Sequence, residues 1–311
     1  MSTLPTSSAP MPEYYVTMHN GIVKGEFDFS ITAHRILMML LSQIDSREQA
    51  QFKPQYVRVA DLMRLLGQQR TSIYRQCKEA VDDLIGQAIT IEEEDGSYHA
   101  MTVFEHIRYL AHSGVITAQF SNYARPYLLK LERHFTSWQM QQTLLLTTNY
   151  AIRHYMLAKM VQRKTRRHQQ TFAITDYRRW LKLTDKYERF ADLRRYVLEP
   201  SIEQVNDKTD VEVAVEVERH GRSAVGLTFI VERPAQQRAS IMQKVDTPPD
   251  LAPHDQWLAS LGPAAYNKTI TQAAQRAERM GYTDDGSWTW KAGVETALRQ
   301  IFREQNGNAL P

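Results

Sequence analysis

The sequence predicts an α+β protein in which two winged-helix domains, each a helix–turn–helix followed by a β-hairpin, stand in tandem before a small helical C-terminal extension. Two observations support this fold class. Apolar residues recur first at helical and then at strand spacing, in the same order, in two successive segments of the chain. In addition, Asp61 and Arg64 match Asp176 and Arg179 at one constant offset of 115 positions. A repeated order of elements with a repeated motif indicates two copies of one fold.

The first copy begins with a helix that Ser30 caps and that ends near Asp45. The elements predicted after it are a strand over 57–59, a helix over 60–66 closed by Gly67, a turn over 68–70, a second helix capped by Thr71, and strands over 88–93 and 101–109 joined by a turn at 95–97. The core stripe of that second helix is Ile73, Cys77, Val81 and Leu84. Helix, strand, helix–turn–helix and hairpin is the winged-helix order.

The second copy repeats this order. Its predicted elements are a long helix over 141–162, a strand over 171–174, a capped short helix over 175–181, a helix opened by Thr184 and Asp185, and strands over 211–218 and 223–231. Phe190, Leu193 and Val197 form the inward stripe of the helix that begins at Thr184. Pro200 is expected to kink or split that helix, because proline lacks a backbone donor and clashes with the preceding turn.

Composition indicates a globular protein without catalytic machinery. Hydrophobic residues make up 42% of the chain, and no apolar run approaches the length of a membrane span. The start, residues 1–12, lacks the pattern of a signal peptide, and one cysteine supplies neither a disulfide nor a zinc cluster, so a cytoplasmic protein is expected. The sequence contains no nucleotide-binding Gly-rich loop, serine elbow or metal-binding histidine motif. We therefore predict a binding protein with no catalytic residue, metal or cofactor.

Charge is concentrated in one block. Between Ile152 and Arg195 lie 13 Lys and Arg residues and four Asp and Glu residues, a local charge of +9 in a chain whose net charge is +3. Such a block suggests a surface that faces a polyanion, although an ordinary solvated helix face has a similar composition.

The predicted recognition helix of the second copy presents a polar face opposite its apolar stripe. At helical spacing, Asp192 and Arg195 face outward, with Arg189 and Arg194 on the flanks. Arginine donates two hydrogen bonds to guanine and a carboxylate accepts one from cytosine, so this face fits a DNA major groove. Arg195 is the residue predicted to read a base.

Other cations are predicted to hold phosphates, which position a protein without specifying sequence. In the second copy these are Arg163, Lys164, Arg166, Arg167, Arg178 and Lys186. The first copy is less basic, and its candidate contacts are Arg70, Arg75 and Lys78. Self-association explains the first copy equally well.

The chain resembles the iteron-binding plasmid replication initiators that drive theta-type replication. The resemblance runs from Phe29 to Glu232 and is carried by the stretches 31–37, 59–67, 72–74, 120–131, 149–155 and 187–200. In the stretch 149–155, Ala151 replaces a serine that is usual in the family. The stretch 187–200, which includes Pro200 after Val-Leu, is similar to the family's second recognition helix.

The resemblance implies that both winged helices contact successive grooves of a repeated origin sequence and that the first also serves dimerisation. It further implies that monomers load on the origin repeats while dimers repress the initiator's own promoter at an operator. The implied partners are double-stranded DNA, a second copy of the chain, the host replicative helicase and the host chromosomal initiator.

These inferences divide the chain into five segments: a disordered tail over 1–13, a winged-helix domain for dimerisation and DNA contact over 14–133, the main DNA-binding domain over 134–234, a linker over 235–256 and a helical extension over 257–311. Two alternatives stay open at this point. One is a winged-helix transcription regulator that starts no replication, and the other is a nicking enzyme.

Overall fold

A computed structural model of the chain describes residues 14–44, 46, 51–67, 72–93, 95–111, 113–162, 167–232, 263–281 and 288–306. Several predicted features lie outside these residues: the tail 1–13, Arg70 with its turn and the Thr71 cap, the connector residues Arg163, Lys164 and Arg166, and the linker 235–256.

The first half of the described chain alternates short helices and strands. In order these are β1 (Tyr15–His19), α1 (Asn20–Val23), α2 (Ile31–Leu41), β2 (Gln55–Arg58), α3 (Val59–Leu65), α4 (Ser72–Gly86), β3 (Ala88–Glu92), β4 (Tyr98–Thr102), β5 (Phe104–Leu110), β6 (Val115–Phe120), α5 (Arg125–Leu128), β7 (Phe135–Gln139), α6 (Met140–Leu144) and α7 (Asn149–Val161). The prediction of an opening helix is confirmed, since the Ser30 hydroxyl accepts a hydrogen bond from the Ala33 amide and caps α2.

The first helix–turn–helix consists of α3 and α4. Gly67 closes α3 with a φ of +61°, a conformation that glycine adopts without a Cβ clash. The predicted apolar stripe of α4 is confirmed, because all four of its residues are buried. Asp83 on α4 accepts a hydrogen bond from the Ser30 amide at 2.7 Å, so this carboxylate joins α4 to the start of α2.

The first wing is shorter than the sequence predicts. It is the antiparallel hairpin of β3 and β4, with Gly96 at its turn, and β4 ends at Thr102. The prediction of one strand over 101–109 is therefore wrong, since β5 begins at Phe104 and belongs to a separate sheet of order β2-β6-β5. Val103 and Phe104 are both buried, and an unbroken strand would send one of them to solvent.

Near the joint between the two halves, the structure differs from the sequence-based prediction in the domain boundary and in the helix that follows it. The strand β1 pairs with β7, so the boundary placed after residue 133 divides a sheet. The single helix predicted over 141–162 is two helices, α6 and α7. They separate at Thr148, whose hydroxyl accepts a hydrogen bond from the Ala151 amide and caps α7.

The second half repeats the winged-helix order. Its elements are β8 (Arg167–Ala173), α8 (Ile174–Trp180), α9 (Phe190–Leu193), a π-helical turn (Arg194–Leu198), α10 (Glu199–Lys208), β9 (Glu212–His220) and β10 (Ser223–Glu232). The three strands form a sheet of order β8-β10-β9, and Gly221 turns the β9–β10 wing with a φ of +62°. The predicted cap of α8 is wrong, because Ala173 precedes the helix without a side-chain hydrogen bond.

Both winged helices share one continuous apolar core. The helix α7 lies within it and is buried almost all round, including Arg153 and His154. Such a helix is stabilised by packing on every face rather than by an amphipathic stripe.

Beyond the two winged helices, α11 (Pro263–Arg279) and α12 (Trp288–Asn306) form a separate compact unit. Its small core consists of Ala273, Ala277, Val294, Ala297, Leu298 and Ile301. The Arg276 guanidinium joins the two helices by two hydrogen bonds to Glu304, at 2.6 and 2.9 Å. Among the described residues, no helix is long and apolar enough to span a bilayer.

Candidate nucleic-acid interface

The candidate recognition helix begins later than the sequence predicts. Residues 184–189 form a turn, and the helix starts at Phe190 with Arg189 as its N-cap. The prediction that Thr184 and Asp185 open this helix is therefore wrong. Tyr187 in the turn has a φ of +54°, which places its backbone in the left-handed region.

The side chain of Arg178 holds that turn. From α8, its Nη1 donates to the carbonyls of Leu183 and Lys186 at 3.1 and 3.0 Å. Its Nη2 donates to the carbonyls of Tyr187 and Glu188 at 2.7 and 3.2 Å. The predicted phosphate contact by Arg178 thus finds no support here, because only its Nε is left without one of these four bonds.

A π-helical turn connects α9 to α10 and ends at Leu198, two residues before Pro200. Proline donates no amide hydrogen bond and its ring clashes with the carbonyl four residues earlier. In a π turn the backbone hydrogen bonds join residues five positions apart instead of four. The α-helical hydrogen bond that proline cannot donate is therefore not required. The prediction that Pro200 interrupts the regular helix is confirmed, and the interruption takes this form.

The recognition helix has one buried and one exposed face, as predicted. Leu193 and Val197 are fully buried, whereas Ala191, Arg194 and Arg195 are exposed. Arginine and a small residue on one accessible face allow close approach to a polyanion and donation of hydrogen bonds.

The two adjacent arginines differ in their contacts. Arg194 Nε donates to the Glu199 carboxylate at 2.6 Å. Arg195 makes no ion pair with any residue that the structure describes, and its guanidinium carbon lies 5.4 Å from the centroid of the Tyr196 ring. Of these two arginines, Arg195, the predicted base reader, is the one without a carboxylate partner among the described residues.

Two tyrosines that the sequence analysis did not single out lie beside Arg195. The rings of Tyr187 and Tyr196 stack at a centroid distance of 6.1 Å with an interplanar angle of 30°. They line a shallow concavity with Glu188, Arg189 and Asp192. The sequence signal is weak, because an aromatic residue in a helix is more often part of a core.

The second wing lies beside the start of the recognition helix. The Arg219 guanidinium carbon is 5.8 Å from the centroid of the Phe190 ring, and Arg219 Nη1 donates to the Arg222 carbonyl at 3.3 Å. Arg219, His220 and Arg222 are all exposed at the wing tip. The sequence analysis missed Arg219 and Arg222 because they fall outside the basic block.

Two other predicted phosphate contacts already have acidic partners. Lys186 Nζ lies 3.4 Å from the Asp28 carboxylate, and Arg167 Nε lies 3.5 Å from that of Glu232. Both cations are more than half exposed, so each pair is weak and its charge stays accessible.

The first helix–turn–helix presents a mixed surface. On α4, Arg75 and Lys78 are exposed, and Arg75 Nε lies 3.9 Å from the Glu79 carboxylate. Asp82 is exposed on the same helix. Since acidic groups alternate with the two cations, this face carries little net positive charge.

A buried cation joins the two winged helices. Arg153 Nη2 donates to the Gly25 carbonyl in the first at 2.7 Å and to the Trp180 carbonyl in the second at 3.0 Å. Burial lowers the pKa of Arg153 to about 9, so the side chain stays charged at neutral pH.

An ion pair and a hydrogen bond at the edge of the joint add to this contact. Arg179 on α8 pairs with Glu92 of the first wing, and the Asp28 carboxylate accepts a hydrogen bond from Asn149 Nδ2 at 2.7 Å. The joint is therefore rich in charged and polar contacts around its apolar centre. No cluster of metal-ligating side chains occurs within the described ranges.

Comparisons with known proteins agree with this architecture. The family described as "Initiator Replication protein, WH1" matches residues 15–159, and the one described as "Initiator Rep protein, WH2" matches residues 173–231. A curated replication initiation protein from Escherichia coli is 21% identical over 231 residues, which are 71% of each chain.

A solved structure supports the fold. The crystal structure of the Pi initiator protein in complex with iteron DNA is 22% identical to this chain, covers 71% of it and 98% of its own chain, and has a TM-score of 0.62. The two family matches follow each other in the expected order and together span both winged helices, while α11 and α12 lie outside them. The chain belongs to the family of initiator replication proteins that are built from successive WH1 and WH2 domains.

Proposed function

We propose that this protein initiates plasmid replication by binding repeated origin sequences in duplex DNA through both of its winged helices. The observation that carries the proposal is the exposed face of the second recognition helix. There, Arg195 makes no ion pair with any described residue and lies opposite the buried Leu193 and Val197. Membership of the initiator family supports replication initiation as the process in which that face binds DNA.

In this proposal the second winged helix supplies most of the sequence recognition. Arg195 enters the major groove and donates to a guanine, while Arg189 and Asp192 contact neighbouring bases. The wing-tip residues Arg219 and Arg222 reach the adjacent backbone. Lys186, Arg167 and the connector cations neutralise phosphates, which makes binding depend strongly on salt.

The first winged helix has two roles in this proposal. Arg75 and Lys78 contact the backbone of the neighbouring groove when a monomer lies on an origin repeat. The same domain mediates dimerisation, and the dimer represses the initiator's own promoter. A rearrangement between these states would break the hydrogen bonds from Arg153 to the Gly25 and Trp180 carbonyls and the ion pair of Arg179 with Glu92. Theta-type replication then follows when the host helicase and the host chromosomal initiator are recruited.

Replication in trans tests the main proposal. The protein is supplied from one replicon to a cell that carries its neighbouring repeat-containing DNA on a fragment without another origin. The fragment is expected to be maintained with the wild-type protein and to be lost with Arg195→Ala. A footprint on the repeats without maintenance would instead identify a transcription regulator. A covalent adduct with nicked supercoiled DNA would identify a nicking enzyme.

Sedimentation tests the proposed change of oligomeric state. Across a range of concentrations, the free protein is expected to form dimers, and a duplex that carries one repeat is expected to bind a monomer. A protein that is monomeric throughout and still represses its promoter would contradict this part of the proposal.

A further inference from the structure

A series of contacts connects the turn before the recognition helix to the groove-facing arginine. It begins at Arg178, whose four hydrogen bonds fix the carbonyls of that turn. One of these, to the Tyr187 carbonyl, is 2.7 Å long and holds Tyr187 in its left-handed conformation. A tyrosine with positive φ is uncommon, and the surrounding bonds compensate for its cost.

Tyr187 in turn supports Tyr196. The two rings stack, although Tyr196 is 55% exposed and contributes nothing to the core. Aromatic pairs in this offset arrangement attract each other beyond the area they bury. The stack therefore restricts the orientation of an aromatic ring on the accessible face of the recognition helix.

The ring of Tyr196 lies beneath the guanidinium of Arg195, with 5.4 Å between the guanidinium carbon and the ring centroid. This distance is within the range of a cation–π contact. A cation–π contact involves no hydrogen bond from the guanidinium to an acceptor atom. Arg195 makes no ion pair with a described residue, whereas Arg194 Nε donates to the Glu199 carboxylate.

We infer that Tyr196 is a positioning residue for base recognition, and that Tyr187 supports it. The ring holds the Arg195 guanidinium in the orientation from which its paired donors meet a base edge. A free arginine side chain loses much conformational entropy when it is fixed in a groove, and this contact fixes part of it in advance. The inference rests on the proposed function, since it assigns Arg195 to duplex DNA.

Binding measurements with a selected duplex test this role. The full-length protein first selects a sequence from a pool of random duplexes. Affinities for that duplex and for a scrambled duplex are then measured for wild type, Tyr196→Phe, Tyr196→Leu, Arg195→Ala and the double variant Arg195→Ala/Tyr196→Leu. Tyr123→Ala, which removes another exposed tyrosine distant in sequence, is the matched control.

Tyr196→Leu keeps the apolar bulk but removes the ring, and it is expected to weaken binding to the selected duplex about 2- to 5-fold. The loss on the scrambled duplex is expected to be smaller, and the salt dependence to stay unchanged, because no phosphate contact is removed. Tyr196→Phe and Tyr123→Ala are expected to bind like wild type. In the absence of Arg195, Tyr196→Leu is expected to cause no further loss.

Three outcomes would overturn the positioning role: equal loss on both duplexes, full additivity with Arg195→Ala, or loss of affinity in Tyr196→Phe equal to that in Tyr196→Leu. Circular dichroism of each variant separates these results from misfolding. If the wild-type protein selects no sequence at all, the proposed function fails instead. The two failures are therefore distinguishable.

Discussion

The guanidinium carbon of Arg153 lies 3.7 Å from the centroid of the Phe27 ring, inside the joint between the two winged helices. Phe27 is buried, and the same guanidinium donates to one carbonyl from each winged helix. Two of its nitrogens, Nε and Nη1, are buried without a hydrogen-bond partner among the described residues. The joint thus contains a charged group that only partly recovers its lost hydration.

Arg153→Ala is expected to lower the free energy of unfolding by about 2–4 kcal/mol. The substitution removes the ring contact, leaves the Gly25 and Trp180 carbonyls without this donor and creates a cavity. Urea denaturation followed by circular dichroism measures the change. The exposed Arg133→Ala is the control and is expected to alter stability by less than about 0.5 kcal/mol. Equal stability of the two variants would contradict the prediction.

Acidification is expected to destabilise the protein between about pH 6.5 and pH 4. Burial lowers the pKa of His34 and of His154 to about 4, from 6.5 for an exposed histidine. The unfolded chain therefore binds protons in this window and the folded chain does not. Stability is fully present above pH 6.5 and is lost as the pH falls, by up to about 1.4 kcal/mol per pH unit for each histidine.

The contacts of His154 show why its neutral form is the one that fits. Its Nδ1 donates to the Tyr150 carbonyl at 2.7 Å, and its Nε2 accepts from the Tyr177 hydroxyl at 2.8 Å. His154→Phe is therefore expected to flatten the dependence of the unfolding free energy on pH between about 4 and 6.5. His220→Gln, at the exposed wing tip, serves as the control. An unchanged slope in His154→Phe would refute the assignment.

Arg195 and the connector cations are expected to differ in how they affect DNA binding. Arg195→Ala should weaken binding to a cognate duplex by about 1–3 kcal/mol and relax preference at one base pair. The double variant Lys164→Ala/Arg166→Ala should weaken binding to all sequences similarly, with a smaller salt dependence. Titrations on cognate and scrambled duplexes at several salt concentrations measure both effects. Arg194→Ala and Arg189→Ala, tested separately, show whether another arginine reads the base instead.

The C-terminal helices are expected to be dispensable for specific DNA binding. The pair α11 and α12 has its own core and lies outside both family matches. A chain truncated after Ala239 should therefore keep the footprint of the full-length protein. Loss of replication by the same truncated chain would point to partner contacts made by these helices. A truncated protein that folds but leaves no footprint would place the helices within the DNA-binding unit.

Much of the helical architecture could be predicted from the sequence because local signals determine it. The Ser30 cap, the Gly67 stop, the apolar stripe of α4 and the interruption at Pro200 depend on residues that are close in sequence. The pairing of β1 with β7 joins residues about 120 positions apart, and no local pattern reports such a pairing. The sheet that contains β5 also depends on a long-range pairing, because its strands β2 and β6 pair residues about 60 positions apart.

The candidate site could be predicted in part for a similar reason. Helical periodicity placed Leu193 and Val197 inward and Arg195 outward, as the structure has them. Helical periodicity does not show which groups a side chain contacts. The four hydrogen bonds from Arg178 to backbone carbonyls were therefore missed. The nearness of the wing-tip Arg219 to Phe190 depends on the tertiary fold, and composition alone gave no sign of it.

Because Cys77 is buried, the reactivity of its thiol can be used to detect opening of the first winged helix. It is the only cysteine of the chain, it is fully buried on α4, and burial raises the pKa of its thiol to about 12. A thiol in that state does not react with a disulfide reagent until α4 separates from its neighbours. The rate of labelling therefore measures how often the first winged helix opens, without any introduced probe. Labelling in the presence and absence of DNA would show directly whether that domain loosens when the protein changes its state of association.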